Sequence, residues 1–251
     1  MRILLCACMI VLAASGCTTA AQNCYGLQYT GPVMRILFIG NSYTLTNDLP
    51  GVFTKLACSG GHQVEIGLSA EGGWTLAQHA ASPQTREKLK EHKWDFVVLQ
   101  EQSEIPSIQN DRYQTMYPAV RQLVGDVKTA GAQPLLFLTW GHRDGLPQYG
   151  MPTFSDMQAQ LSVGYWGIAQ ELKVPVIPVG TAWLKASTQS TPLDLWQKDG
   201  SHPNEQGTYL AACVFYAAIF HQSPQGLGYW AGVDQKTAQI LQSLAAETVP
   251  N

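Results

Sequence analysis

A serine and a distant Asp/His pair have the types and spacing to activate a hydroxyl. Ser42 stands in Gly40-Asn41-Ser42-Tyr43-Thr44, while Asp199 and His202 share Asp199-Gly200-Ser201-His202-Pro203. Serine is a poor nucleophile at neutral pH and needs a base within hydrogen-bond reach; that base needs an acid to hold its tautomer. With Asp199 and His202 in one loop, the carboxylate can orient the imidazole directly. At a helix N-terminus, the N–H of Ser42 would also face a developing oxyanion. Singly, Asn41-Ser42 reads as a turn and helix cap, and the 199–203 stretch as a loop closing onto a helix with Pro at its start. Together, in this order and after strands, they point to nucleophilic catalysis. His142, in Trp140-Gly141-His142-Arg143, is the rival base and a candidate substrate contact.

Such residues need a scaffold that brings distant segments to one rim. From Met34 the sequence alternates short apolar runs with helix-length amphipathic stretches. Strands are expected at 34–40, 64–69, 96–100, 134–140 and 174–179, and helices at 49–59, 75–92, 111–130, 154–172, 203–220 and 234–247. Apolar strands separated by helices imply a parallel sheet covered on both faces. The expected fold class is α/β, a three-layer α/β/α domain with a five-stranded parallel, flavodoxin-like sheet. Its functional residues collect at the carboxyl ends of the strands. Those ends carry Ser42, the Glu71-Gly72-Gly73-Trp74 turn, Gln100-Glu101-Gln102-Ser103 and His142.

On these motifs the sequence resembles the SGNH hydrolase (GDSL-like lipase and esterase) superfamily across nearly all of 34–220. The family's Gly-Asp-Ser is matched by Gly40-Asn41-Ser42, with Asn41 departing from the pattern. Its Asp-x-x-His-Pro and later Gly are matched by Asp199, His202, Pro203 and Gly207. The resemblance implies a Ser42-His202-Asp199 triad and an oxyanion hole made by the Ser42 and Gly73 N–H groups. The family's Gly-x-Asn-Asp is missing, and Gln100-Glu101-Gln102-Ser103 stands in its place. A Gln amide could replace the family's Asn donor, with Gln102 the first choice and Gln100 the second. The implied reaction is two-step hydrolysis of an ester, with no cofactor and no metal.

Aromatic residues in the loops suggest the substrate, because Trp and Tyr stack on sugar faces and offer polar edges. Tyr43, Trp74, Trp140 and His142 are the expected substrate contacts, with Tyr149 and Trp196 as further loop aromatics, whereas Trp166 in a helix reads as core. Since secreted members of the superfamily often deacetylate polysaccharides, a carbohydrate O-acetylesterase is the leading reading. The alternatives are a lipase, thioesterase or lysophospholipase on longer acyl chains, and a catalytically dead glycan-binding lipoprotein.

Composition narrows the partners. Charged residues are 13% of the 251 and the formal charge is −3, with no Lys/Arg cluster to neutralise a run of phosphates, which argues against a nucleic-acid partner. A 45% hydrophobic content argues against disorder. Residues 1–17 read as an export signal: the apolar run 3–14, at about 1.5 Å per residue, spans about 18 Å, short of the roughly 30 Å membrane core. Ala14-Ser15-Gly16-Cys17 resembles a lipobox, so Cys17 is the expected lipidation site, residues 18–32 a tether and 33–251 the hydrolase domain. A cell-envelope lipoprotein touching the membrane only through its N-terminal lipid follows. An ordinary secretory signal cut near Ala20 is the alternative. Cys24, Cys58 and Cys213 remain, enough for one disulfide and one free thiol.

Overall fold

The computed structural model describes residues 32–250. The signal segment, Cys17, Cys24 and the tether to residue 31 lie outside the described residues. Five strands form one all-parallel sheet: β1 (Met34–Gly40), β2 (Val64–Ala70), β3 (Phe96–Leu99), β4 (Gln133–Phe137) and β5 (Val176–Ile177). Their order is β2-β1-β3-β4-β5, with Ile36 opposite Ile66 on one side and Phe96 on the other. The order reverses at β1, and the crevice beside β1 and β3 is where ligands sit in such sheets.

Strand parity divides the core into two layers. Ile36, Phe38, Val98 and Phe137 face one way, against α2 (Leu49–Ser59), α7 (Val179–Thr188), α8 (Glu205–Phe220) and α9 (Gln235–Thr248). Leu37, Ile39, Val97, Leu99 and Leu136 face the other, against α3 (Leu76–Ala81), α4 (Pro83–Glu91), α5 (Tyr117–Thr129) and α6 (Phe154–Leu172). Helix α1 (Ser42–Leu45) is a single turn leaving β1. Helix α8 lies between α2 and α9, which explains why its sequence is apolar around nearly its whole circumference. Cys58 is disulfide-bonded and Cys213 is a buried free thiol.

Three expectations need correction. The helix expected over 75–92 is two helices, because Pro83 cannot donate its N–H and forces Ser82 into extended backbone, where its hydroxyl caps Thr85 N. The last strand keeps only Val176–Ile177, since Pro178 ends the ladder and the chain enters α7, which sequence periodicity missed. The strand expected over 134–140 ends at Phe137, and Trp140 lies beyond it.

Candidate active site

Ser42 occupies the first position of α1, directly after β1, and is half-buried. Its Oγ lies 2.9 Å from His202 Nε2, and His202 Nδ1 lies 2.6 Å from Asp199 Oδ2. A carboxylate can only accept, so Nδ1 carries the proton and Nε2 is left to accept from the serine. Asp199 Oδ1 accepts the N–H groups of Ser201 (2.9 Å) and His202 (3.0 Å). Burial alone would raise the Asp199 carboxyl, but these donors and the His202 ring hold it below the usual carboxylate range. Gly200, at φ +69°, supplies the left-handed residue that curls the loop back onto the carboxylate.

The other rim residues are not all where the sequence suggested. His142 Nε2 lies 3.2 Å from Ser103 Oγ rather than on Ser42, so His202 is the imidazole paired with the serine. Burial lowers the His142 pKa, opposed by Glu104 and Asp199. Gly73 is exposed in the turn after β2. Among the described residues, neither its N–H nor that of Ser42 has a partner. Gln102 is half-buried: its Oε1 accepts from Glu104 N (2.8 Å) and Ile105 N (3.2 Å), and Nε2 reaches Ser103 Oγ at 3.3 Å. One amide hydrogen of Gln102 therefore remains available. Gln100, the second choice for an oxyanion donor, is excluded because its amide is fully used. Nε2 donates to Asn41 Oδ1 (2.8 Å) and Glu101 O (2.5 Å), while Oε1 accepts from Asn41 N (2.8 Å) and Thr44 Oγ1 (2.9 Å).

That amide also accounts for Asn41. Asn41 Oδ1 accepts from Gln100 and from Tyr43 N, while Nδ2 donates 2.9 Å to Trp74 O. An aspartate would set an acceptor against the Trp74 carbonyl. Asn41 and Gln100 are thus a matched pair, locking the Ser42 turn to β3 and to the Gly73 turn. Gly40 is required by the same contact, since a Cβ there would lie 2.5 Å from Gln100 Oε1.

Tyr43 and Trp140 are not substrate contacts: both are buried, at 2% and 0% exposure. Tyr43 stacks on Trp140 (4.6 Å between centroids) and Trp140 on Trp183 (4.0 Å), with Trp196 edge-on to Trp183. Aromatic surface of this size is worth more buried in a stack than exposed at a rim. The layer instead supports the base: Tyr43 Oη lies 2.8 Å from Ser201 Oγ, and Trp140 Nε1 donates 2.9 Å to Ser201 O, one residue before His202. Trp196 is buried as well, whereas Tyr149 and Trp166 are exposed, at 53% and 48%, so Trp166 is not the core residue its helix suggested. Trp74 is half-buried beside Gly73.

Sequence reasoning missed Arg143. Its N–H donates 2.7 Å to Gly200 O, its guanidinium bonds Asp194 at 2.8 Å, and it lies over the Trp196 ring, strapping the Asp199 loop from outside. No spacing rule singles it out.

A serine hydroxyl at the switch point of a doubly wound sheet, hydrogen-bonded through an imidazole to a carboxylate, has the geometry of a serine-hydrolase site. Known structures share the fold. An SGNH hydrolase from Slackia heliotrinireducens is 31% identical, with a TM-score of 0.64 over 75% of this chain and 100% of that one. A DUF4886 family protein from Bacteroides uniformis is 21% identical (TM-score 0.76; 87% and 96% covered). An acetylxylan esterase from Geobacillus stearothermophilus is 17% identical (0.58; 76% and 96%). No family model and no curated protein sequence matches the chain. The chain belongs to the SGNH hydrolases.

Proposed function

We propose that the protein is a serine esterase working through Ser42, His202 and Asp199, and that it removes short acyl groups, foremost acetyl, from carbohydrate. The observation that carries the catalytic part is the unbroken chain from Ser42 Oγ through His202 to Asp199. His202 Nε2 takes the Ser42 proton as Oγ attacks the ester carbonyl. The Ser42 and Gly73 N–H groups and the Gln102 amide receive the oxyanion. His202 then protonates the leaving alcohol and activates water against the acyl-enzyme.

The substrate reading rests on polarity. His142 Nε2 lies 3.2 Å from Ser103 Oγ and its Nδ1 4.0 Å from Glu104, while Tyr43 Oη bonds Ser201 Oγ, one residue before the base. Such a wall favours a hydroxyl-rich alcohol and a small acyl group over an alkyl chain. Half-buried Trp74, next to Gly73, is the aromatic surface nearest the oxyanion turn on which a sugar could stack. The export signal read in residues 1–17 would place the enzyme at the envelope, where glycan fragments arrive.

Hydrolysis of p-nitrophenyl esters of increasing acyl length tests the substrate class. Acetate should give the highest kcat/KM, with a fall of about tenfold or more by octanoate. A maximum at long chains would replace the reading with a lipase or thioesterase. For the oxyanion donor, Gln102→Ala should lower kcat by about 10²–10³ with KM little altered, because the bond forms only as charge develops. A change under about threefold would leave the hole to Ser42 and Gly73.

A further inference from the structure

Glu101 is fully buried between the two loops that carry the oxyanion donors, yet the mechanism gives it no role. Its Oε1 accepts two backbone N–H groups at once: Leu76 N at 3.0 Å, in the first residue of α3, and Gln102 N at 2.7 Å. Its own N–H donates 3.2 Å to Tyr165 Oη from α6. Oε2 has no partner. Burial pushes the carboxyl up to about 7, opposed by the two N–H donors.

We propose that Glu101 is a positioning residue for the oxyanion side of the site, one carboxylate oxygen fastening the Gly73 turn to the Gln102 loop. The Gly73 turn needs fastening from both ends. Upstream it is closed by Trp74 N donating to Glu71 O, and it is anchored to the Ser42 loop through Trp74 O and Asn41 Nδ2. Downstream, Leu76 N on Glu101 is the tie that connects it to β3. The same oxygen fixes the backbone at Gln102, whose carboxamide is then aimed by Glu104 N and Ile105 N. Donors arriving from different strands are thus referred to a single atom. Packing alone gives no reason for a carboxylate here: an apolar side chain would fill the space without an unpartnered buried oxygen, which costs stability. Donor placement of this kind matters because an oxyanion hole acts by being preorganised.

The proposal rests on the reading of Ser42 as nucleophile and Gly73 and Gln102 as donors, and the test separates the two. Wild type, Ser42→Ala, Glu101→Gln, Glu101→Asp and Glu101→Leu are assayed on p-nitrophenyl acetate, with a fluorophosphonate probe mapping the labelled residue. Glu101→Gln keeps an oxygen that can accept both N–H groups and should retain kcat within about threefold. Glu101→Leu, which keeps the volume and loses the acceptor, should lose about 10- to 100-fold in kcat with KM within about twofold. Glu101→Asp, one methylene short of holding both N–H groups, should lose about tenfold in kcat, and it serves if the Leu variant fails to fold. Wild-type kcat in folded Glu101→Leu or Glu101→Asp overturns the proposal. So does a loss confined to KM, or a Gln variant as weak as the Leu variant. If one of these results occurs while the probe labels Ser42 in wild type and in the Glu101 variants, only the role of Glu101 has failed. If Ser42 is unlabelled or Ser42→Ala stays active, the nucleophile reading falls and takes this proposal with it.

Discussion

Replacing Ser42 by alanine is expected to reduce ester hydrolysis by about three orders of magnitude or more while leaving the fold intact. The hydroxyl is hydrogen-bonded to His202 Nε2 at 2.9 Å, and alanine suits the first turn of a helix. The backbone N–H that would serve the oxyanion is unaffected, so the residual rate reports the oxyanion hole and substrate binding alone. His202→Ala should cost about as much, and the double variant little more than either, because the two act as one unit. Steady-state kinetics beside thermal unfolding check this; a Ser42→Ala enzyme keeping a tenth of its activity would remove the assignment.

Asp199→Asn should be nearly as severe, for a reason visible in the loop geometry. Oδ1 of Asp199 accepts the N–H groups of both Ser201 and His202. An asparagine must therefore turn its oxygen to those donors, leaving its NH₂ facing His202 Nδ1, where Oδ2 now sits at 2.6 Å. The amide would donate to Nδ1, moving the ring proton to Nε2, so that His202 would donate toward Ser42 instead of accepting from it. A wrong tautomer of this kind costs about 10³–10⁴ in kcat. Asp199→Ala imposes no tautomer and should be no worse than Asp199→Asn. Retention of activity within tenfold in the Asn variant, measured as kcat on p-nitrophenyl acetate, would show that the carboxylate does not set the tautomer.

The parallel α/β architecture was legible in the sequence, as was the set of side chains that meet around Ser42, because both depend on local pattern. Runs such as residues 36–39 and 96–99 are apolar throughout since a doubly covered strand buries both faces. Ser42 and the Asp199–His202 spacing carry signatures within a few residues. The break at Ser82-Pro83 was missed in the helix expected over 75–92, although its cause, a proline inside the run, is local. What local pattern could not supply is the pairing of groups from different strands. Gln100 and Gln102 share strand parity, and only the packed structure shows that Gln100 is used up by Asn41 and Thr44 while Gln102 keeps a hydrogen free. Tyr43 and Trp140 sit in loop-like sequence, yet they are core, because the layer beneath the rim buries their stacked rings and turns their polar atoms to Ser201. Arg143 and Glu101 gain their roles from contacts with Asp194, Gly200, Leu76 and Gln102. The sequence by itself determined which residues could do the chemistry, since side-chain type and spacing are local. Tertiary structure decided which polar groups were already spent on one another, since hydrogen-bond partners in a parallel sheet come from distant segments.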